Sequence, residues 1–330
     1  MKIVMLGHTG VGKTTYIASL YGIMQQSIEG FRLRAVESDE HKRWINIAER
    51  IQQGEYPLGT DRRQEYNFYL RYQGRNILQF SWADYRGGAL RETQDSEQAK
   101  ALLTDLKAAD GLILFCDCHA LASGDTRSNQ IGRMTSLASQ ALKELDHPLS
   151  LAIVLTKTDL LTSFPDDMLK SLGGLIAAIN ASDLVLGALI PIACSSRLCN
   201  VPMPLLFVLY SAVAFEATSA YKEAESHDLR AQSYEKFSQG FAGAVDWVVS
   251  KISQEPTYGE MATNEREKAI VKKRLFAEIQ KPGLLLHNYV QKLPRIQSSL
   301  AETDYIKQLS NIKEGMLENA IASLDPFSIF

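Results

Sequence analysis

The sequence predicts an α/β fold: a mostly parallel sheet with one antiparallel edge hairpin and helices on both faces, followed by an all-helical extension. Three observations carry that expectation. Before Pro204, short apolar runs alternate with helix-compatible segments, the pattern of a parallel sheet covered on both faces. A glycine-rich turn joins the first apolar run to the first helical one. After Pro204 the strand signals largely stop, and stretches rich in Ala, Glu, Lys, Gln and Leu favour helix.

Taken in order, Ile3-Val4-Met5-Leu6 is a short strand, and Gly7-His8-Thr9-Gly10-Val11-Gly12-Lys13-Thr14 follows it directly. This spells G-x-x-x-x-G-K-[ST], in which glycines turn a strand sharply into a helix while successive backbone N–H groups point at a phosphate. The helix that starts near Lys13 and runs on through Thr15 adds the positive end of its dipole. Lys13 is expected against the β- and γ-phosphates, and the Thr14 hydroxyl as a ligand of Mg²⁺. Phosphate is therefore the expected ligand class.

From Ser38 to Gln53, Trp44, Ile45, Ala48 and Ile51 recur at mixed three- and four-residue spacing, which predicts a helix ending at Gly54. Tyr66, Phe68, Leu70 and Tyr72 then alternate with polar residues. Gln73-Gly74-Arg75-Asn76 supplies a turn, and Ile77 to Trp82 resumes a strand: a β-hairpin. The runs Gly111–Cys116, Leu151–Leu155 and Leu189–Ala193 are further strands. In the last third, Glu216–Ser253, Met261–Gln280 and Thr303–Leu324 read as helix, with Pro256, Pro282, Pro294 and Pro326 as boundaries.

Two segments speak to which nucleotide is held. In Trp82-Ala83-Asp84-Tyr85-Arg86-Gly87-Gly88 an acid lies just past a strand, so Asp84 can hold Mg²⁺ through water while the Gly87 N–H meets a γ-phosphate. Upstream, Thr60 offers a hydroxyl and a carbonyl to the same ion and phosphate. Thr156-Lys157-Thr158-Asp159 follows a buried strand. One carboxylate can accept both the N1–H and the exocyclic amine of guanine, and adenine has no such donor pair. Asp159 is thus expected to select guanine, with the Lys157 stem over the base and Thr156 tying this loop to the phosphate loop. Ser195, Ser196 and Arg197, after the next strand, can offer backbone N–H groups to the guanine carbonyl oxygen.

With these segments in this order, the chain resembles the P-loop GTPases of the translation-factor and Ras-like class over roughly its first 200 residues. Within that class it looks more like the bacterial double-GTPases. The resemblance implies GTP/GDP and Mg²⁺ as cofactors, two switch segments that rearrange on hydrolysis, and an effector or activating protein that reads them. Two positions depart from the class. Thr156 stands where asparagine is commoner, and Gly88 stands where Ras-like proteins carry the glutamine that orients attacking water. The missing group is then sought in Arg86 or Arg91 for charge, in Glu92 or Gln94 for water, or in a partner or a second copy of the chain.

Bulk properties bound the rest. A chain of 330 residues exceeds the usual single domain, and the sequence divides at about residue 225 into a nucleotide-binding domain, 1–225, and a helical module, 226–330. Net charge −3 with 22% charged residues gives no pull toward nucleic acid. Cys116, Cys118, Cys194 and Cys199 lack zinc-ribbon spacing and read as reduced thiols. The apolar run Leu205–Phe215 is about half the roughly 20 residues a membrane span needs, and no signal peptide fits the start, so a cytoplasmic protein is expected. A non-hydrolysing GTP-binding scaffold and a P-loop ATPase remain as alternatives.

Overall fold

The computed structural model describes residues 1–59, 63–85, 97–125, 127–195, 198–238, 256, 258–290, 293, 296 and 306–309. Strands β1 (Lys2–Leu6), β2 (Phe31–Ala35), β3 (Gln64–Tyr72), β4 (Arg75–Asp84), β5 (Gly111–Asp117), β6 (Leu149–Thr156) and β7 (Val185–Pro191) form one sheet in the order β2-β3-β4-β1-β5-β6-β7. From β4 across to β7 every neighbouring pair is parallel, while the pairs β2–β3 and β3–β4 are antiparallel. The expected α/β class is therefore the observed one.

The helices are α1 (Lys13–Ile23), α2 (Ser38–Gln52), α3 (Glu97–Lys107), α4 (Cys118–Ala122), α5 (Ile131–Leu142) and α6 (Gly173–Asn180), then the long α7 (Met203–Ser238) and α8 (Tyr258–Val290). A two-residue pair, β8 (Ala193–Cys194) with β9 (Leu198–Cys199), follows β7. Central strands β5 and β6 are buried along their whole length. Such continuous apolar runs suit a sheet with helices on both faces. By contrast β3 alternates: Tyr66, Phe68 and Leu70 are buried, and the residues between them are half-buried or exposed.

Two elements differ from the sequence reading. That reading assigns no strand to 31–35, yet β2 pairs with β3 from Phe31↔Tyr72 to Ala35↔Phe68 and lies outside the hairpin. Its alternation of buried Phe31, Leu33 and Ala35 with exposed Arg32 and Arg34 spans only five residues, so the pairing partner rather than local propensity fixes it. Pro282, expected as a boundary, lies inside α8. A proline removes one amide donor and crowds the preceding turn, and the helix nonetheless continues to Val290. Pro256 does precede α8; Pro294 and Pro326 lie outside the described residues.

The chain forms two compact units, Met1–Ala212 with Leu286–Phe330, and Val213–Leu285. In the first, the apolar run that begins at Leu205 lies in the opening turns of α7, and Leu205 to Leu209 are fully buried. Gly111 of β5 admits this helix closely, since a Cβ there would lie 3.0 Å from Val208 Cβ. The Tyr16 hydroxyl on α1 accepts the Leu205 amide at 3.1 Å, supplying an acceptor to one of the first-turn donors that a helix cannot satisfy itself. Among the described residues no helix is long and apolar enough to cross a membrane.

The second unit pairs the rest of α7 with α8. Glu223–Lys272 and Asp228–Lys273 are ion-paired at 2.6 and 2.5 Å, and the sequence of contacts Val213 with Gly283, Glu223 with Lys272 and His227 with Glu265 runs the helices antiparallel. Ala224, Ala231, Ala262 and Ala269 are buried, spaced by seven residues on each helix.

Tyr16→Phe removes the acceptor of a buried amide while keeping the ring. An orphaned buried donor costs about 1–3 kcal/mol, so the variant is expected to unfold at lower urea concentration by that amount, read from the denaturation midpoint at unchanged slope.

Candidate functional site

The carboxyl ends of β1, β5, β6 and β7 converge on one side of the sheet, and the chain reverses its direction of strand addition at β1: β4 lies on one side, β5 on the other. Open α/β sheets bind ligands at such a reversal. A cavity of about 420 Å³ lies there.

Its floor is the glycine-rich turn. Gly10 and Gly12 have φ of 84° and 102°, the left-handed region that side chains resist. Gly7 is required for another reason: a Cβ would lie 2.8 Å from Val11 Cγ1 and 2.9 Å from Phe115 Cβ on β5. The Lys13 Nζ folds back to donate to the Gly7 carbonyl at 2.9 Å. Burial pushes the Lys13 ammonium below its ordinary pKa, opposed by the nearby Asp84 carboxylate. Asp84 itself is fully buried at the end of β4. His8 through Thr15 all line the cavity.

The far wall is the loop after β6. Thr156, Lys157 and Asp159 line the same cavity, joined by Ser195 beyond β7. Lys157 adopts φ 58° and ψ 34°, a left-handed backbone uncommon for a residue with a side chain. The Thr158 hydroxyl and amide both donate to the Ile192 carbonyl, at 3.0 and 3.3 Å, so this loop and the one carrying Ser195 are stitched together. Thr156 departs from its expected contact: its hydroxyl donates to the Cys116 carbonyl of β5 at 3.2 Å, anchoring the loop to the neighbouring strand instead of to the phosphate loop. Thr60, Arg86, Gly87, Gly88, Arg91, Glu92, Gln94, Ser196 and Arg197 lie outside the described residues.

The chain matches a family model, Double-GTPase 2, over residues 2–185. The chain belongs to that family. It is by that membership a GTP-binding GTPase, and the match covers more than half of its length. No curated protein matches it.

Several residues of this double-GTPase site were not singled out from sequence. Tyr56, Pro57, Leu58 and Gly59 line the cavity, as do Leu160, Ile192 and Cys194. Burial pushes the Cys194 thiol up to about 12, so it is held as an unreactive neutral group. Asp117, at the end of β5, is another: its carboxylate pairs with the Lys157 ammonium at 2.5 Å. An acid at the carboxyl end of a parallel strand beside the cradle is the signal that points to it.

Around the entry to β3 and the exit of β4, Arg63 lies over the Tyr85 ring at 5.5 Å and donates to Asp105 of α3 at 2.8 Å. The Tyr85 hydroxyl donates to the same carboxylate at 2.5 Å.

His8 supplies a pH test. Burial lowers its pKa below 6.5, with Lys157 and Lys13 adding to the effect, while its bond to the Thr9 carbonyl and the Asp117 charge oppose it. Below pH 6.5 the unfolded chain therefore takes up a proton sooner than the folded one. The stability this neutral imidazole contributes is complete above pH 6.5 and is lost as pH falls. His147, whose pKa is raised first by its bond to Asp146, acts with the opposite sign. His8→Gln is thus expected to flatten only the acid-side loss, measured as unfolding free energy from pH 5 to 8.

Proposed function

We propose that this double-GTPase is a nucleotide-dependent molecular switch that hydrolyses GTP slowly and with Mg²⁺, passing its nucleotide state to the helical module after residue 225 or to a partner protein. The observation that carries this reading is one cavity lined by both the phosphate cradle, His8 to Thr15, and Asp159. A triphosphate on the cradle directs its base toward the loop after β6. There the Asp159 carboxylate, exposed on a short 3₁₀ turn, accepts the two adjacent guanine donors, while the Lys157 stem covers the base. Ser195, which lines the same cavity, is the described residue of the loop assigned to the guanine carbonyl, and Ser196 and Arg197 follow it in sequence.

The donor set fits Mg²⁺, which takes one or two protein oxygens and completes its shell with water and phosphate. The Thr14 hydroxyl and the buried Asp84 carboxylate are hard oxygen donors on adjoining elements, and Thr60 is the third candidate. When bound, the ion offsets charge on the phosphate oxygens. The chain's own contribution is to position the phosphates with backbone N–H groups and Lys13, and to shield them from water. Gly88 brings no side chain that could orient the attacking water. Arg86 or Arg91, or a group supplied by a partner or a second copy, completes the site, and the Gly87 amide senses the γ-phosphate.

Asp159→Asn is expected to weaken GTP binding and improve that of xanthosine triphosphate, whose base carries a carbonyl in place of the amine. One unsatisfied buried hydrogen bond costs about 1–3 kcal/mol, so the preference should move roughly tenfold or more. Calorimetric competition among GTP, xanthosine triphosphate and ATP reads this, and equal ATP binding by the unsubstituted protein would reverse the assignment to guanine.

Turnover should be on the order of 10⁻⁴ to 10⁻³ s⁻¹ for the isolated chain, as in an unassisted Ras-like site. Phosphate release followed across protein concentration measures it. A rate rising with concentration indicates a group supplied by a second copy, and a flat but fast rate indicates one within the chain. No phosphate release with bound GTP would favour a scaffold over a hydrolase.

A further inference from the structure

Asp117 ends β5 one residue before α4, and four separate contacts hold it. Its carboxylate Oδ1 accepts the amides of His119 and Ala120 at 3.0 and 3.2 Å, capping α4. Its backbone is gripped on both sides by Asn129: the Asp117 amide donates to Asn129 Oδ1 at 2.6 Å, and Asn129 Nδ2 donates to the Asp117 carbonyl at 3.0 Å. Asn129 is fully buried. The second carboxylate oxygen, Oδ2, is the one that receives Lys157. One oxygen is thus spent on fold and the other on the loop that faces the cavity.

Lys157 has four rotatable carbons and, unheld, would sweep through solvent. Its side chain is 38% exposed and that of Asp117 is 12% exposed, so the carboxylate is the more buried partner, fixed by its bonds to α4 and Asn129. The left-handed backbone at Lys157 aims the side chain off the end of β6, and the fixed carboxylate on β5 stops its tip. A stem stretched between two such points lies across the cavity wall with its methylenes already ordered.

We propose that Asp117 is a positioning residue for base recognition: it holds the Lys157 ammonium so that the lysine stem is set as a flat apolar cover before nucleotide arrives. This rests on the reading that the Lys157 stem lies over the base. Ordering a side chain in advance removes an entropy loss from binding. A hydrocarbon cover acts on any purine alike, so Asp117 governs strength of binding, and Asp159 governs choice of base.

Asp117→Asn is the informative substitution, because asparagine caps a helix about as well as aspartate and removes only the charge that holds Lys157. With the full chain, affinities for GTP, inosine triphosphate and xanthosine triphosphate are measured by calorimetry for Asp117→Asn, Lys157→Ala and the double variant, alongside thermal midpoints. Asp117→Ser serves as a second capping variant. The expected result is a loss of roughly two- to fivefold, the range for a part-exposed ion pair. It is the same for all three nucleotides, with the melting temperature unchanged and the double variant no weaker than Lys157→Ala alone. Losses that add in the double variant, or a full-affinity Asp117→Asn beside a weakened Lys157→Ala, overturn the role of Asp117 while leaving the base cover in place. Full affinity in Lys157→Ala removes the base cover itself, and this proposal with it.

Discussion

Gly7 stands where two strands and a turn leave no room for a carbon atom. Phe115 presses on it from β5 and Val11 from the returning loop, so the end of β1 and the start of α1 are locked against the neighbouring strand. Everything in the site inherits that registration. Lys13 reaches back to the Gly7 carbonyl; α1 is thereby directed along the sheet, and its Tyr16 meets the first turn of α7. On the other side, β5 carries the Cys116 carbonyl that receives Thr156 and the Asp117 carboxylate that receives Lys157. The glycine-rich turn and the loop after β6 are therefore both measured from the same strand. A strand buried along its length, as β5 is, is the most rigid ruler the fold offers.

Charge in the cavity is balanced by construction. Lys13 and Lys157 both line the cavity, and each has a carboxylate beside it: Asp84 near the first, Asp117 paired with the second. Burial alone would raise the Asp117 carboxyl, yet Lys157 and two backbone amides hold it below the ordinary carboxylate range, so it stays ionised. A lysine buried without such support would tend to shed its proton. The Asp84 carboxylate opposes the burial that lowers the Lys13 pKa, and the Asp117 carboxylate holds the Lys157 tip by direct contact.

Much of this was legible in the sequence, for reasons that differ by element. The cradle is a contiguous string in which each residue type has a local duty, so GHTGVGKT could be read without partners. The order of β5, β6 and β7 follows from apolar runs too short for helices. Strand β2 was not legible, because five alternating residues mean little until β3 lies beside them. Nor was the bond from Thr156 to Cys116, since two residues forty apart in the chain meet only through the parallel register of β5 and β6. Pro282 misled because a proline is a boundary only when packing does not hold the helix across it, and packing is not written in the local sequence. Asp117 was hidden by its own strand: next to six apolar neighbours it reads as the place where a strand stops.

The alanine-lined seam between α7 and α8 has its own consequence. Ala224 and Ala231 on α7, and Ala262 and Ala269 on α8, are all buried and recur at the same seven-residue interval. Methyl groups repeating every seven residues make a nearly smooth rail, and a rail does not choose where its partner stops. Large side chains dropping into holes would fix the axial position; here that task falls to charge. A slip of one heptad, about 10 Å of travel, would leave the seven-residue alanine spacing of both helices matched, while carrying Glu223 from Lys272 toward Glu265. The surface ion pairs of this hairpin contribute little as glue. As detents on a sliding contact they forbid the stations that the apolar seam would allow.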